Sequence, residues 1–379
     1  MRRRSFYNRA MQPHPNGSVS ASLQAVLQKA LHDNGGWLPF DQFMSLALYA
    51  PGLGYYARDT QKFGHLPQSG SDFVTAPELS PLFGETLAVQ VQQALQACGS
   101  TEVIEFGAGS GALALQLLIT LGDKVDRYSI IEVSATLRQR QQATLAPFAD
   151  RVRWLDTWPE VIHGVVVGNE VLDAMPVQLL AFDGQVWSER GVVWHEEAWA
   201  WADRPSTMRP PMTLGVVPGT VTEIHPQAEA FITGLAARLV RGAAFFIDYG
   251  FPEAEYYHPQ RSGGTVMCHR AHQADANPLV DVGEKDITSH VNFTGIALAA
   301  QDAGLSVLGY TSQANFLLNC GLLDRLHHFE IQKMALAQKL ITEHEMGELF
   351  KVIGLARGCD EGLMGDPIGF SHGDRSHTL

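Results

Sequence analysis

From Thr101 onward the chain alternates short apolar runs with helical patterns, and that alternation restricts the fold more than any other feature. "TEVIEF", "RYSIIEV", "RVRWLD" and "HGVVVGNE" read as strands. Between the first three lie "SGALALQLLITLG" and "SATLRQRQQATLAPF", with the spacing and start signals of helices. Further on, "HPQAEAFITGLAARLVRG" reads as a helix and "GAAFFIDYG" as a strand. "NFTGIALAAQDAG" is the next helix, and "LSVLGYTSQ" and "ELFKVIGLARG" are the last strands. Strands that alternate with helices build βαβ units, and a run of such units builds a doubly wound, mostly parallel sheet.

Three stretches depart from the alternation. Residues 1–20, "MRRRSFYNRAMQPHPNGSVS", read as a disordered start that lacks the apolar core of a secretory signal. Residues 21–100 read as an N-terminal helical and lid segment. "SVSASLQAVLQKALHDNGG" stops at Gly35-Gly36, "LPFDQFMSLALYA" stops before Pro51, and "LSPLFGETLAVQVQQALQACGS" closes at Gly99. The Gly-, Pro- and aromatic-rich run between the last two reads as an ordered loop. Residues 101–379 then form the main domain, with a β insertion at about 178–220 and a helical one at about 315–348. The turn near Asp183-Gly184 and the run "WHEEAWAWAD" belong to the β insertion, whose tryptophans suit either a core or an interface. Residues 251–291 read as a polar, His-containing loop.

At 379 residues and 45% hydrophobic the chain can build a large core, and chains of this size begin to divide or elaborate beyond roughly 250–300 residues. The net charge of -13 argues against a nucleic-acid backbone as partner, which calls for a basic face. It leaves room for cationic ligands and protein segments. Cys98, Cys268, Cys320 and Cys359 are widely spaced and read as reduced thiols. No apolar run approaches the roughly 20 residues that span a bilayer, so a cytoplasmic protein without a membrane segment is expected, or a mitochondrial matrix protein if the chain is eukaryotic. A homodimer is left open.

"VIEFGAGSGALA" places Gly107, Gly109 and Gly111 where a buried strand turns into a helix. Glycine permits positive φ and close backbone approach, and the helix start offers unpaired N–H groups. Two ligands suit this turn. Dinucleotide sites use G-x-G-x-x-G or G-x-G-x-x-A, which Ala112 satisfies. S-adenosylmethionine sites use a G-x-G-x-G with an acid two residues before it, a position that Glu105 fills. Glu132 closes the second strand, 21 residues after Gly111. Its carboxylate suits both hydroxyls of a ribose, in either ligand. Asp156 closes the third strand, where it faces the place of an adenine.

"GNEVLDAMPV" then brings Asn169, Glu170 and Asp173 to the end of strand four. Hydride transfer calls for a proton-active partner. Methyl transfer calls for in-line alignment and control of the nucleophile's charge. An Asn carbonyl and a Glu carboxylate can hold an amine or guanidinium, so Asn169 and Glu170 read as site residues. Asp173 fits two roles equally, a second catalytic carboxylate or the cap of a short helix beginning near Leu172. His258, His269, His272 and His290 lack metal-ligand spacing, so no metal is expected. Cys268 and His269 point to opposite faces of an extended segment and make no nucleophile–base pair.

"IEFGAGSGALA", "GNEVLDAMPV" and "FIDYGFP", in this order, resemble class I S-adenosylmethionine-dependent methyltransferases. With "ALYAPGLGYY", "SDFVTAPELSPLFGE", "GEKDITSHVNF" and the C-terminal "GFSHGDRSHTL", the chain resembles more narrowly the mitochondrial dysfunction protein A family of complex I assembly-factor methyltransferases. The resemblance spans roughly residues 22 to 379. It implies an α/β fold with a Rossmann-like sheet of seven strands, the last antiparallel, and S-adenosylmethionine as cofactor. It also implies protein arginine methyltransferase activity, with a complex I subunit or its bacterial counterpart as the protein substrate.

Carried over to these positions, Gly107, Gly109 and Gly111 form the methionine-side loop, Glu132 holds the ribose, and Asn169 and Glu170 line the methyl side. Asp72, Thr75 and Glu78 are lid residues, and Asp286, His290 and Asn292 face the substrate. One departure is Ser71 before Asp72-Phe73, where the family has glycine; Gly70 is placed to take over. The alternatives are an NAD-type oxidoreductase and a non-catalytic assembly factor.

Overall fold

The computed structural model describes residues 17–58, 75–270, 273–326 and 331–379. Its largest sheet contains seven strands on one path: β1 (Glu102–Phe106), β2 (Arg127–Ile131), β3 (Val152–Leu155), β4 (Ile162–Asn169), β5 (Leu239–Phe251), β6 (Ser306–Ser312) and β7 (Phe350–Arg357). The spatial order is β3-β2-β1-β4-β5-β7-β6. All neighbours are parallel except β7, which runs antiparallel to both β5 and β6. This is the sheet the sequence implies, with its last strand reversed.

The strands read as continuous apolar runs because both faces are covered. On β4, Val165 and Val167 join one core and Val166 the other; on β5, Phe245 and Phe246 divide in the same way. One face packs helix Leu82–Cys98 and helix Ala112–Leu121, and the opposite face packs helix Pro226–Arg238 and helix Phe293–Asp302. The strand order reverses between β1 and β4, and open α/β sheets bind ligands outside the carboxyl ends of the strands at such a point. Both the glycine loop and Asn169 lie there.

The β insertion forms a separate antiparallel sheet from Trp187–His195, Gln178–Phe182, Ala198–Pro205 and Val221–Ile224. It also captures Leu38–Pro39 from the N-terminal segment. Trp199 is buried against Phe43, ring centroids 5.4 Å apart. Trp201 packs on Phe40 at 5.3 Å. These tryptophans thus anchor the N-terminal helices to the insertion.

Two sequence expectations need correction. The helix expected to reach Gly242 ends at Arg238, and β5 begins at Leu239. Leu235, Ala236 and Leu239 keep helical spacing, so periodicity offers no stop there. Pairing of Leu239 with Ile162 on β4 decides the boundary. The 251–291 loop also contains a small antiparallel sheet of Met267–Arg270, Gln273–Asp275 and Asp286–Thr288. Strands of three or four residues carry too little alternation to be read. No described helix is long and apolar enough to cross a membrane.

Candidate active site

After β1 the backbone makes a turn that glycine alone adopts without strain. Gly107, Gly109 and Gly111 have φ of 64°, 52° and 84°. The Gly107 N–H donates to Ile131 O at 3.3 Å, which ties the turn to β2. Helix Ala135–Thr144 secures it from behind: Gln141 Nε2 donates to Gly109 O at 3.0 Å and Thr144 Oγ1 to Ser110 O at 2.9 Å. Gly107 and Gly109 line a cleft of about 600 Å³. Gly111 is set back from it as the N-cap of helix Ala112–Leu121.

Glu105 and Glu132 stand beside this turn and line the same cleft. Glu105 is buried and accepts Tyr128 Oη at 2.6 Å. Burial pushes its carboxyl up to about 8. Glu132 accepts the Ser134 N–H on Oε1 at 2.8 Å and Gln141 Nε2 on Oε2 at 3.0 Å. Each oxygen keeps a lone pair for a ligand hydroxyl. Val133 is 75% exposed and lines the cleft next to it. Asp156 is not among the lining residues. Its side chain is 84% exposed and pairs with Arg138 Nη2 at 2.8 Å. The short β3 stops one residue earlier, and the arginine holds the carboxylate at the surface.

The second group of carboxylates follows β4. Glu170 has φ of 55°, a strained conformation for a non-glycine residue that costs on the order of 1–3 kcal/mol and clusters at functional sites. Its N–H donates to Ile247 O at 2.9 Å, and Asn169 Nδ2 donates to its Oε1 at 3.0 Å. Burial, reinforced by the charges of Asp173 and Asp286, pushes the Glu170 carboxyl up to about 8. Asn169 Oδ1 is buried with no hydrogen-bond partner among the described residues.

No helix begins near Leu172, so Asp173 is not a helix cap; the segment is a turn. Asp248 from β5 supplies the capping oxygen instead and accepts the N–H groups of Val171, Leu172 and Asp173. This frees the Asp173 side chain for the cleft. Its Oδ2 accepts Tyr249 Oη at 2.5 Å, and its buried Oδ1 has no partner among the described residues. Burial pushes Asp173 up to about 6.

Thr75 lines the cleft ahead of the four-residue helix Ala76–Leu79. Glu78 does not line it; its Oε1 lies 3.9 Å from Arg140 Nη2. Asp72, with Gly70 and Ser71, lies outside the described residues, as does His272. Asp286 faces the cleft and accepts Tyr56 Oη at 2.8 and 2.9 Å. His290 packs edge-on between Tyr249 and Phe251 at 5.2 and 5.0 Å. Burial and the charges of Arg261 and Lys351 push it down to about 4, so it is neutral at pH 7. Asn292 caps helix Phe293–Asp302 through the Gly295 N–H, a structural role. Burial pushes the Cys268 thiol up to about 12, which suits no nucleophile.

Sequence reasoning singled out neither Asp248 nor the tyrosines Tyr49, Tyr56 and Tyr249, three of which line the cleft. A signal was present in "FIDYG": a polar pair at the carboxyl end of a buried strand, the same feature that marks Asn169-Glu170. Tyr49 stacks on Tyr56 at 5.6 Å and donates to Ala174 O at 2.9 Å.

The cleft therefore has a glycine end and an acidic end, and no lysine or arginine is among its described lining residues. No group of His, Cys, Asp or Glu among the described residues could hold a metal ion. S-adenosylmethionine fits the donor set. Gly107 and Gly109 line the cleft at positive φ, where a ligand can approach the bare backbone closely, and Glu132 keeps capacity for ribose hydroxyls. When bound, the cofactor supplies an electrophilic methyl on a cationic sulfur. The chain's residues orient the acceptor, exclude water and hold the proton that a charged nitrogen must lose.

Residues 86–311 match the model of a family described as S-adenosyl-L-methionine-dependent methyltransferases. A solved structure from Burkholderia thailandensis, bound to S-adenosyl-homocysteine, is 49% identical, with a TM-score of 0.92 over 97% of this chain and 100% of that one. The "protein arginine methyltransferase NDUFAF7 homolog, mitochondrial" of Caenorhabditis elegans is 25% identical over 94% of this chain and 93% of its own length. The human "protein arginine methyltransferase NDUFAF7, mitochondrial" is 25% identical over 93% and 87%. These findings set aside the oxidoreductase and the purely structural readings: the chain belongs to this family of S-adenosyl-L-methionine-dependent methyltransferases.

Proposed function

We propose that this methyltransferase modifies the guanidinium of an arginine in a protein substrate. The observation that carries the reading is the acidic end of the cleft, where Glu170, Asp173 and Asp286 converge with no lysine or arginine among the described lining residues. A guanidinium is always protonated in water and offers five donors in a planar fork. Carboxylates on two sides can hold that fork. Burial keeps Glu170 mostly protonated at pH 7 in the empty cleft, an entering cation favours its ionised form, and the carboxylate so formed can take the proton as the nitrogen is methylated. Relatives named as protein arginine methyltransferases support the same acceptor. Following the resemblance, the substrate is a respiratory complex I subunit or its bacterial counterpart, in the cytoplasm or, in a eukaryote, the mitochondrial matrix.

The test uses a lysate from a strain lacking this protein, incubated with the purified enzyme and radiolabelled S-adenosylmethionine. One labelled band should yield methylarginine on hydrolysis and should be absent with Gly109→Val. Label recovered in lysine, glutamine or a small molecule would overturn the arginine reading.

A further inference from the structure

Asp248 and Tyr249 are consecutive residues near the end of β5, and both reach the acid loop after β4. Asp248 is fully buried. Its Oδ2 accepts three successive backbone N–H groups, from Val171 at 3.1 Å, Leu172 at 2.9 Å and Asp173 at 3.2 Å. Its Oδ1 accepts the Tyr249 N–H at 3.0 Å. Tyr249 then donates its hydroxyl to Asp173 Oδ2. One residue fixes the loop's backbone and the next fixes its carboxylate. A loop that holds Glu170 at positive φ persists only where its surroundings over-determine it, and this pair supplies part of that restraint. The arrangement leaves Asp173, a residue that lines the cleft, with its Oδ1 buried and without a partner among the described residues.

We propose that Asp248 and Tyr249 are positioning residues for the methyl acceptor. Asp248 sets the loop, Tyr249 pins one oxygen of Asp173, and the other oxygen is thereby aimed at the cationic group that enters the acidic end. This rests on the reading above that the acceptor is a cation. It goes beyond it in assigning the aim of Asp173 to two residues of β5, of which Tyr249 lines the cleft and Asp248 does not. The alternative is that Tyr249 merely satisfies a buried hydroxyl, and the two differ in what a single oxygen controls.

Around Asp173 the ionisable groups are Glu170 in its own loop, Asp248 and Tyr249 on β5, Tyr49 and Tyr56 from the N-terminal segment, and Asp286 from the small sheet. The Tyr249 hydroxyl favours the ionised form of Asp173, so its removal raises the pH at which Asp173 loses its proton.

The experiment compares the full-length protein with Tyr249→Phe, Asp173→Asn and the double variant. S-adenosyl-homocysteine affinity is measured by calorimetry. Single-turnover methyl transfer to the labelled lysate band is measured from pH 5.5 to 9. Tyr249→Phe should keep the affinity within about threefold and lower the transfer rate about 10- to 100-fold, the scale of a small misplacement of reacting groups. The acid limb of its rate profile should move to higher pH. In the Asp173→Asn background Tyr249→Phe should cost little more, because the amide can still accept the tyrosine hydroxyl but the charged oxygen that this bond aims is gone. Asp248→Asn sets an NH2 group against a backbone N–H in either orientation, so it too should lower the transfer rate at least about 10-fold. A second measurement needs no natural acceptor: binding of ethylguanidinium to the S-adenosyl-homocysteine complex, followed by NMR. Tyr249→Phe should weaken it at least fivefold at pH 7. A Tyr249→Phe protein with wild-type ethylguanidinium affinity and an unmoved rate profile would overturn the proposal, as would equal loss of rate and cofactor affinity. Failure of the arginine reading looks different: the wild-type protein itself then places its label elsewhere.

Discussion

The two ends of the cleft are built in opposite ways. The glycine end comes from one short stretch, Glu105 to Leu113, of which all but Gly111 line the cleft, with Glu132 just past the end of the adjacent strand. Its working parts are backbone groups, and its specificity lies in positive φ angles. The acidic end is gathered from five separated stretches, around Tyr49 and Tyr56, Asn169 to Asp173, Tyr249 and Phe251, Thr265 to His290, and Leu349 and Phe350. Its working parts are side chains held by other side chains. A cofactor that is the same for every substrate can be met by a contiguous turn. An acceptor particular to this protein is met by pieces that can vary separately, which is the division expected when one fold carries many chemistries.

The strongest test of the contrast strikes the backbone end. Gly107→Val puts a β-branched side chain at φ of 64°, with its Cβ 3.3 Å from Val171 Cγ2. Calorimetry should find S-adenosyl-homocysteine affinity weakened at least about 100-fold, and transfer should be lost with it, while far-UV circular dichroism stays unchanged. Retained affinity would mean that the turn's conformation is not what holds the ligand.

Glu170→Gln tests the side-chain end. The amide keeps the size and the bond to Asn169 but cannot take a proton. Transfer should fall by roughly 10²–10³, the scale of removing one group that acts on the reacting centre. Cofactor affinity should stay within about threefold. A parallel loss of both would join the two ends into one functional unit and end the contrast drawn above.

The same division explains what the sequence disclosed. The sheet was legible because each strand after Thr101 is apolar and bounded by its own turn signals. Gly107, Gly109, Glu105 and Glu132 were legible because their relation is a spacing along one βαβ unit. Asn169 and Glu170 were legible as polar residues at the end of a buried strand. Asp173 was not separable from a helix cap, because the residue that caps that turn, Asp248, lies 75 positions away. The pairing of Tyr56 with Asp286 spans 230 positions and leaves no local trace. The small sheet of Met267–Arg270 was hidden for a different reason, since strands of 3 or 4 residues complete too few two-residue periods to show an alternation.

A third prediction concerns the energetic consequence of keeping acids in the cleft. The Glu105 carboxyl is pushed up to about 8 from an ordinary value of 4.5. Unfolding releases its proton at any pH between those values, so its contribution to stability is greatest below about 4.5 and is lost as the pH rises through about 8. The full loss is a few kcal/mol. Glu105→Gln cannot ionise and escapes it, while its amide oxygen can still accept Tyr128 Oη. Without ligand, the variant should melt close to wild type at pH 4 and several degrees above it at pH 9. A difference that does not grow with pH would mean that Glu105 is ionised in the folded protein.

The smallest expected effect sharpens where the glycine end stops. Asp156 sits at the tip of β3, where a third acid would complete a series with those of β1 and β2, but its carboxylate is turned to solvent and paired with Arg138. An exposed pair of this kind contributes about 0–1 kcal/mol. Asp156→Ala should therefore leave the melting temperature within about two degrees and S-adenosyl-homocysteine affinity within about twofold. A fivefold loss of affinity would show that Asp156 turns inward when the ligand is present. The glycine end would then owe its specificity to a third strand tip and to a side chain that moves, as the acidic end does, rather than to a rigid turn and two fixed carboxylates.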